Sequence, residues 1–214
     1  MTRSTFLFFI VLLASLLSSC ADSETTDTGK VDPERIYFDY QVSGAEDDSM
    51  VTVLLQYHFR GPHVATLLVD NPGKVELDGV AVLADSSRLS GFFYEARVPR
   101  HLFAGAHTIV FTGSNQQEYK EEFSFHPLSL ATELSDTITR EAFAIELKGL
   151  EPEDYVRLLI TDTSRLNDGV NRLDTVINGK VVITSEDLES LASGPVNLQL
   201  IREYERPLTN PSAR

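Results

Sequence analysis

One thiol, five imidazoles and thirty-two carboxylates are the groups in this chain with a capacity for chemistry. The thiol is Cys20, which follows Leu17-Ser18-Ser19 at the end of an apolar run beginning at Phe6. The imidazoles are His58, His63, His101, His107 and His126. None sits in an HExxH pattern, and none is spaced like a helical zinc pair. His58 and His63 flank Phe59-Arg60-Gly61-Pro62 and could act as joint ligands, but histidines at such places are mostly solvated loop residues, and no metal is expected there. Asp162, Asn167, Asp168 and Asn171 offer hard oxygens, the donors calcium takes. Their spacing is not that of an EF-hand, and Asp and Asn are ordinary turn formers. Glu46-Asp47-Asp48 reads as a solvated acidic turn. No GxSxG elbow and no phosphate-cradling glycine loop is present, and no pair of carboxylates is singled out as an acid and its base. The expectation is a chain that is not an enzyme, with no cofactor.

The surroundings of Cys20 give an address. Met1 to Thr5 carries one positive charge, Arg3. Phe6 to Leu17 is apolar, and two small residues precede the cysteine, the order of a secretory signal. As a helix the apolar run rises about 18 Å, short of a hydrocarbon core of about 30 Å, so a permanent span is not expected. Leu17-Ser18-Ser19-Cys20 resembles the lipobox of bacterial lipoproteins. That resemblance implies cleavage after residue 19, a thioether-linked diacylglycerol on Cys20 and acylation of the new amino group. Two or three acyl chains anchor stably where one is marginal. Asp22 and Glu24, soon after the cysteine, resemble export signals of surface-displayed lipoproteins. The implied location is the cell envelope, lipid-anchored at the outer membrane on its periplasmic or surface face.

Cut before Cys20, the chain keeps seventeen basic residues against thirty-two acidic ones. That balance excludes a nucleic-acid partner, which needs clustered Lys and Arg. It equally disfavours a basic patch on anionic lipid. The membrane contact is expected through the anchor alone. With no second cysteine, each domain must be held by an apolar core, and 42% hydrophobic residues suffice for one.

The elements that position these groups are expected to be strands. Residues 20–35 are rich in Asp, Glu, Thr and Ser and are expected to form a disordered tether. From 36 to 126 a first β-sandwich is expected. Ile36 to Val42, Met50 to Phe59, Ala65 to Val69, Phe92 to Val98, His107 to Thr112 and Glu118 to Phe125 have strand composition. Asp78-Gly79 suits a type I′ turn inside a hairpin from Val75 to Val82. This many short strands within about 90 residues suggests an immunoglobulin-like architecture, without the Cys…Trp…Cys hallmark.

From 127 to 214 the pattern repeats weakly as a second sandwich. Phe143 to Leu147 matches Val51 to Leu55, and Leu158 to Asp162 echoes Leu67 to Asp70. Asn178-Gly179 echoes Asp78-Gly79, and Leu198 and Leu200 match Ile109 and Phe111. The second copy has a long polar loop at 162–172 and one short helix, with Thr184 and Asp187 as its capping box. No strand follows Val196 to Tyr204 to match Glu118 to Phe125. If that last strand lies at a sheet edge, it can pair with a partner, or Arg202, Glu203, Glu205, Arg206 and Pro207 can blunt it.

The overall expectation is all-β, two tandem immunoglobulin-like sandwiches behind a signal peptide and tether. The expected role is a non-catalytic interaction or scaffold module with an envelope protein as partner. The alternative is an accessory that binds a glycan or peptide through loops 58–63 or 162–172. There is no Trp to serve as a sugar platform, and the other aromatics mostly take strand positions that suit a core.

Overall fold

The computed structural model describes residues 26–27, 35–45, 48–62, 64–69, 71–151, 154–163 and 169–209. The expected signal peptide at 1–19 and Cys20 lie outside the described residues.

The fold is all-β, with one short α-helix among the described residues. β1 (Thr26–Asp27) falls within the expected tether and pairs in parallel with β4 (Leu67–Leu68), so these two residues are strand and not free chain. The first sandwich is built from β2 (Ile36–Gly44), β3 (Met50–Phe59), β5 (Lys74–Leu77), β6 (Val80–Ala81), β7 (Ala84–Ser87), β8 (Gly91–Pro99), β9 (Gly105–Thr112) and β10 (Glu118–Phe125). One sheet runs β2-β3-β8-β7 and the other β10-β9-β5-β6, with every pair antiparallel. In strand letters these are A-B-E-D and G-F-C-C′, the immunoglobulin arrangement.

Period-two alternation sends one face of each strand inward. Val51, Val53, Leu55 and Tyr57 of β3 meet Val75, Leu77, Ile109 and Phe111 of the opposite sheet in one buried cluster. Tyr57 and Phe111 lie with ring centroids 4.7 Å apart, and Phe38 packs edge-on to Tyr57 at 5.3 Å. The I′ turn is as expected: Asp78 has φ 52° and Gly79 φ 78°. β7, read Ala-Asp-Ser-Ser, has no strand composition and is exposed throughout; pairing with β8 makes it a strand.

The second sandwich contains β11 (Ser129–Leu130), β12 (Phe143–Lys148), β13 (Tyr155–Asp162), β14 (Val170–Thr175), β15 (Lys180–Ile183), helix α1 (Ser185–Glu189) and β16 (Val196–Arg202). Its sheets run β11-β12-β15 and β14-β13-β16, or A-B-E and C′-C-F. A separate buried cluster of Ile145, Val156, Leu158, Ile160, Val181 and Ile183 fills it. α1 has the expected capping box: Thr184 Oγ1 accepts from the Asp187 amide, and Asp187 accepts from the Thr184 amide at 2.8 Å.

Two expectations need correction. The polar loop is shorter than 162–172, because Asp162 ends β13 and Val170 opens β14, and the two strands pair. The echo of Leu158 to Asp162 in Leu67 to Asp70 is not a structural equivalence either. β13 takes the place of β5, and β4 is a two-residue side strand. Asn178-Gly179 does sit in a tight hairpin turn as Asp78-Gly79 does, with positive φ at both residues and Ile177 and Lys180 hydrogen-bonded to each other across it. The equivalences of β12 with β3 and of β16 with β9 hold in the topology.

Candidate functional site: the cleft between the sandwiches

The sequence-derived candidates are dispersed. His58 is buried, and its Nδ1 lies 3.2 Å from the Val64 carbonyl, so it braces the turn after β3. His63 lies outside the described residues. Asp162 accepts from the Ala192 amide at 2.6 Å and ties the segment after α1 to β13. Asn171 Oδ1 accepts from Arg157. Asn167 and Asp168 lie outside the described residues. Among the described residues no group of three or more His, Cys, Asp or Glu could hold a metal ion, and no helix is long and apolar enough to cross a membrane.

What the fold does assemble is a cleft of about 1850 Å³ between the two sandwiches. One wall is β16. The other is the β9 and β10 side of the first sandwich, the connecting segment from His126 to Leu130 runs between them, and Val42 to Ala45 and Tyr204 to Arg206 also line the cleft. Both walls carry a strand at the edge of its sheet, since among the described residues β10 and β16 each have a neighbour on one side only.

On the first wall, His107 is held by both ring nitrogens. Nε2 lies 2.8 Å from the Phe103 carbonyl, an acceptor, so Nε2 carries a proton. Nδ1 lies 2.8 Å from Asp78 Oδ2. The ring stacks on Phe103 with centroids 3.8 Å apart. Asp78 in turn accepts from the Thr108 amide with its other oxygen, which pins the β5–β6 turn to β9. This histidine is a tie within the wall.

β10 contributes a misplaced charge. Tyr119, Glu121, Phe123 and Phe125 share its inward face, and Glu121 is only 5% exposed. The chain answers that charge from its far end. After β16 it crosses to the first sandwich, where Arg206 Nη2 lies 2.6 Å from Glu121 Oε1 and also donates to the Glu122 carbonyl. The Thr209 amide donates to Glu121 Oε2 at 2.8 Å. Leu208 packs against the first core. Arg206 and Leu208 are half-buried while Pro207 and Thr209 are exposed, the alternation of an extended segment. The residues expected to belong to the second sandwich therefore include a strap that closes the open side of the first.

The hinge itself is held by Arg202, at the end of β16. Its Nη1 donates to the carbonyls of Gly149, at 2.9 Å, and His126, at 3.3 Å, and its Nη2 pairs with Asp154 at 2.9 Å. None of Glu121, Arg202, Arg206 and Leu208 stood out as a site residue in the sequence. Glu121 did carry a signal: it is a carboxylate in phase with three aromatics.

The arrangement offers backbone donors and acceptors along β16, apolar side chains at alternate positions and a walled approach. That is the equipment for holding an extended polypeptide. No known protein family model matches this chain, and no curated protein or solved structure is similar to it.

Proposed function

We propose that this chain is a lipid-anchored interaction or scaffold module of the bacterial cell envelope, non-catalytic and held at the outer membrane through Cys20. The observation that carries the binding half of this reading is the cleft between the sandwiches, bordered by two sheet edges. The anchoring half rests on the apolar run and the tetrapeptide ending at Cys20. The loops first considered for a ligand favour this reading less, since His58, Asp162 and Asn171 are each engaged in holding the fold.

Two measurements test it in the native host. Mass spectrometry of the mature protein is expected to find residue 20 as the N-terminus, carrying acyl chains, and Cys20→Ala is expected to leave the membrane fraction. An unmodified thiol, or an N-terminus further along, defeats the anchor. A photo-crosslinking residue is placed at Gln199 in the cleft and, separately, at exposed Leu173 on the outer face. A discrete adduct from position 199 alone is expected; equal labelling from both positions defeats the cleft as the contact.

A further inference from the structure

We infer that the second sandwich is a strand acceptor: it lacks its seventh strand and is completed by an extended segment donated along β16 by another polypeptide. This inference rests on the interaction-module reading and specifies the partner.

The two sandwiches are built to one plan, so the first shows what the second lacks. In the first, β9 is flanked on both sides, by β5 and by β10, and its pairing with β10 runs the full length from Gly105 to Thr112. In the second, β16 occupies the place of β9. It pairs with β13 from Val196 to Arg202, and among the described residues no strand lies on its other side. On this sheet the absent element is strand G.

The side chains register the same gap. Ile109 and Phe111 of β9 are 1% and 0% exposed. Leu198 and Leu200 take their places in β16 and stay half-buried, although both pack against the second core. Val196, at the start of the strand, is 38% exposed. Apolar residues at alternate positions of an unpaired edge are what a strand-adding partner covers.

Among the described residues no segment of the chain fills the gap. Past Arg202 it leaves for the first sandwich, where Arg206, Leu208 and Thr209 are all engaged. A second copy pairing β16 to β16 does not fit either, because the free side of β16 faces the cleft. The opposite wall there includes Phe123 to Phe125 of β10 and the segment from His126 to Leu130, so β16-to-β16 pairing would have to bring a second whole sandwich into the cleft.

The chemistry of the donor follows. It is an extended segment of about seven residues, roughly 24 Å long. It is apolar at alternate positions so as to lie over Leu198 and Leu200, much as Tyr119, Phe123 and Phe125 line the inward face of β10. It has no proline at a paired position, because the ladder needs its amides. Flanking lysine or arginine suits a chain whose formal charge is −14.

The wild-type protein serves for the test, read by amide hydrogen exchange and thermal unfolding. The probe is a nine-residue peptide of alternating Val and Thr with a lysine at each end, and the control has proline at its centre. In the free protein, alternate amides of Val196 to Arg202 are expected to exchange far faster than any amide of Gly105 to Thr112. Peptide at ~100 times its dissociation constant is expected to slow those amides up to ~100-fold and to raise the midpoint of unfolding, while the proline peptide does neither. Protection of every β16 amide in the free monomer, equal to that of β9, overturns the inference. So does an absence of any change at millimolar peptide. Concentration-dependent protection that tracks dimer formation also overturns it, in favour of a second copy. Each of these failures leaves the acylation of Cys20 to be judged by mass spectrometry alone.

Discussion

Arg206 Nη2 stands 2.6 Å from Glu121 Oε1, joining the segment after the last strand of the second sandwich to the last strand of the first. Glu121 sits on the face of β10 that Tyr119 and Phe123 also use, so its carboxylate lies where a core residue would be. A carboxylate there is tolerable only if it is paired and hydrogen-bonded, and the strap supplies both. The same crossing brings Leu208 onto the first core.

Arg206→Ala is therefore expected to destabilise the first sandwich by about 1.5–3 kcal/mol, the range for a hydrogen bond to a charged group. Glu121→Gln keeps the shape and an acceptor for the Thr209 amide and should cost less. The double variant should cost clearly less than the sum, because the two residues act on one contact. Urea unfolding of the four proteins measures this. Additivity within about 0.5 kcal/mol would show that the pair is surface decoration.

Arg202 makes a different kind of joint. One guanidinium reaches the Gly149 and His126 carbonyls and the Asp154 carboxylate. Asp154 is 11% exposed at its side chain, so losing its cation leaves a nearly buried charge. Arg202→Met is expected to cost roughly 3 kcal/mol, at the low end for breaking a buried pair. Arg202→Lys should recover little, since one ammonium cannot reproduce the planar fork. Solution scattering should show a wider spread of angles between the sandwiches in both variants. An unchanged scattering curve would place the stiffness of the joint in the strap alone.

The turn that Arg202 caps admits only glycine at 149. Its φ is +85°, and a Cβ there would lie 2.1 Å from the Pro127 carbonyl oxygen, with backbone on both sides of the clash. Gly79 has a similar φ, +78°, and open space around it. Gly79→Ala should cost about 1–2 kcal/mol, the left-handed penalty alone. Gly149→Ala carries that penalty and a clash, and should cost at least about 2 kcal/mol more, toward the upper end of single-residue effects. Thermal unfolding of the two variants checks the difference, and equal costs would mean that Pro127 yields freely.

Strands whose residues alternate apolar and polar were legible from the chain alone, and so were the I′ turn at Asp78-Gly79 and the cap at Thr184. Each follows from local chemistry within a few residues. β7 was not legible, because Ala-Asp-Ser-Ser becomes a strand only by pairing with β8. The reach of the polar loop was misjudged for the same reason, since pairing with β13 recruits Val170 to Thr175. The strap was invisible because Arg206 and Leu208 look like an ordinary polar end until Glu121, far away in sequence, is placed opposite them. That β16 has no described strand on its second side, and that a wall stands opposite it, required the fold.

Alkali should expose how deeply the aromatic centre of the first sandwich is sealed. Tyr40 and Tyr57 meet edge to face with centroids 6.0 Å apart, inside a cluster that includes Phe38 and Phe111. Burial, which disfavours a phenolate, pushes both phenols above their usual value near 10; Glu121 raises Tyr40 further, and Tyr40 and Tyr94 raise Tyr57 further. A raised folded-state pKa means that above about pH 10 the unfolded chain has lost protons that the folded chain still holds. Stability is then full below that pH and declines as pH climbs beyond it. Tyr40 and Tyr57 should resist ionisation until the fold gives way, seen as a late, cooperative step in ultraviolet absorbance. Tyr40→Phe, which removes one of the two, should flatten the alkaline decline while leaving the stability at neutral pH little changed. A smooth titration of all tyrosines near pH 10, with the fold intact, would mean that water reaches this cluster.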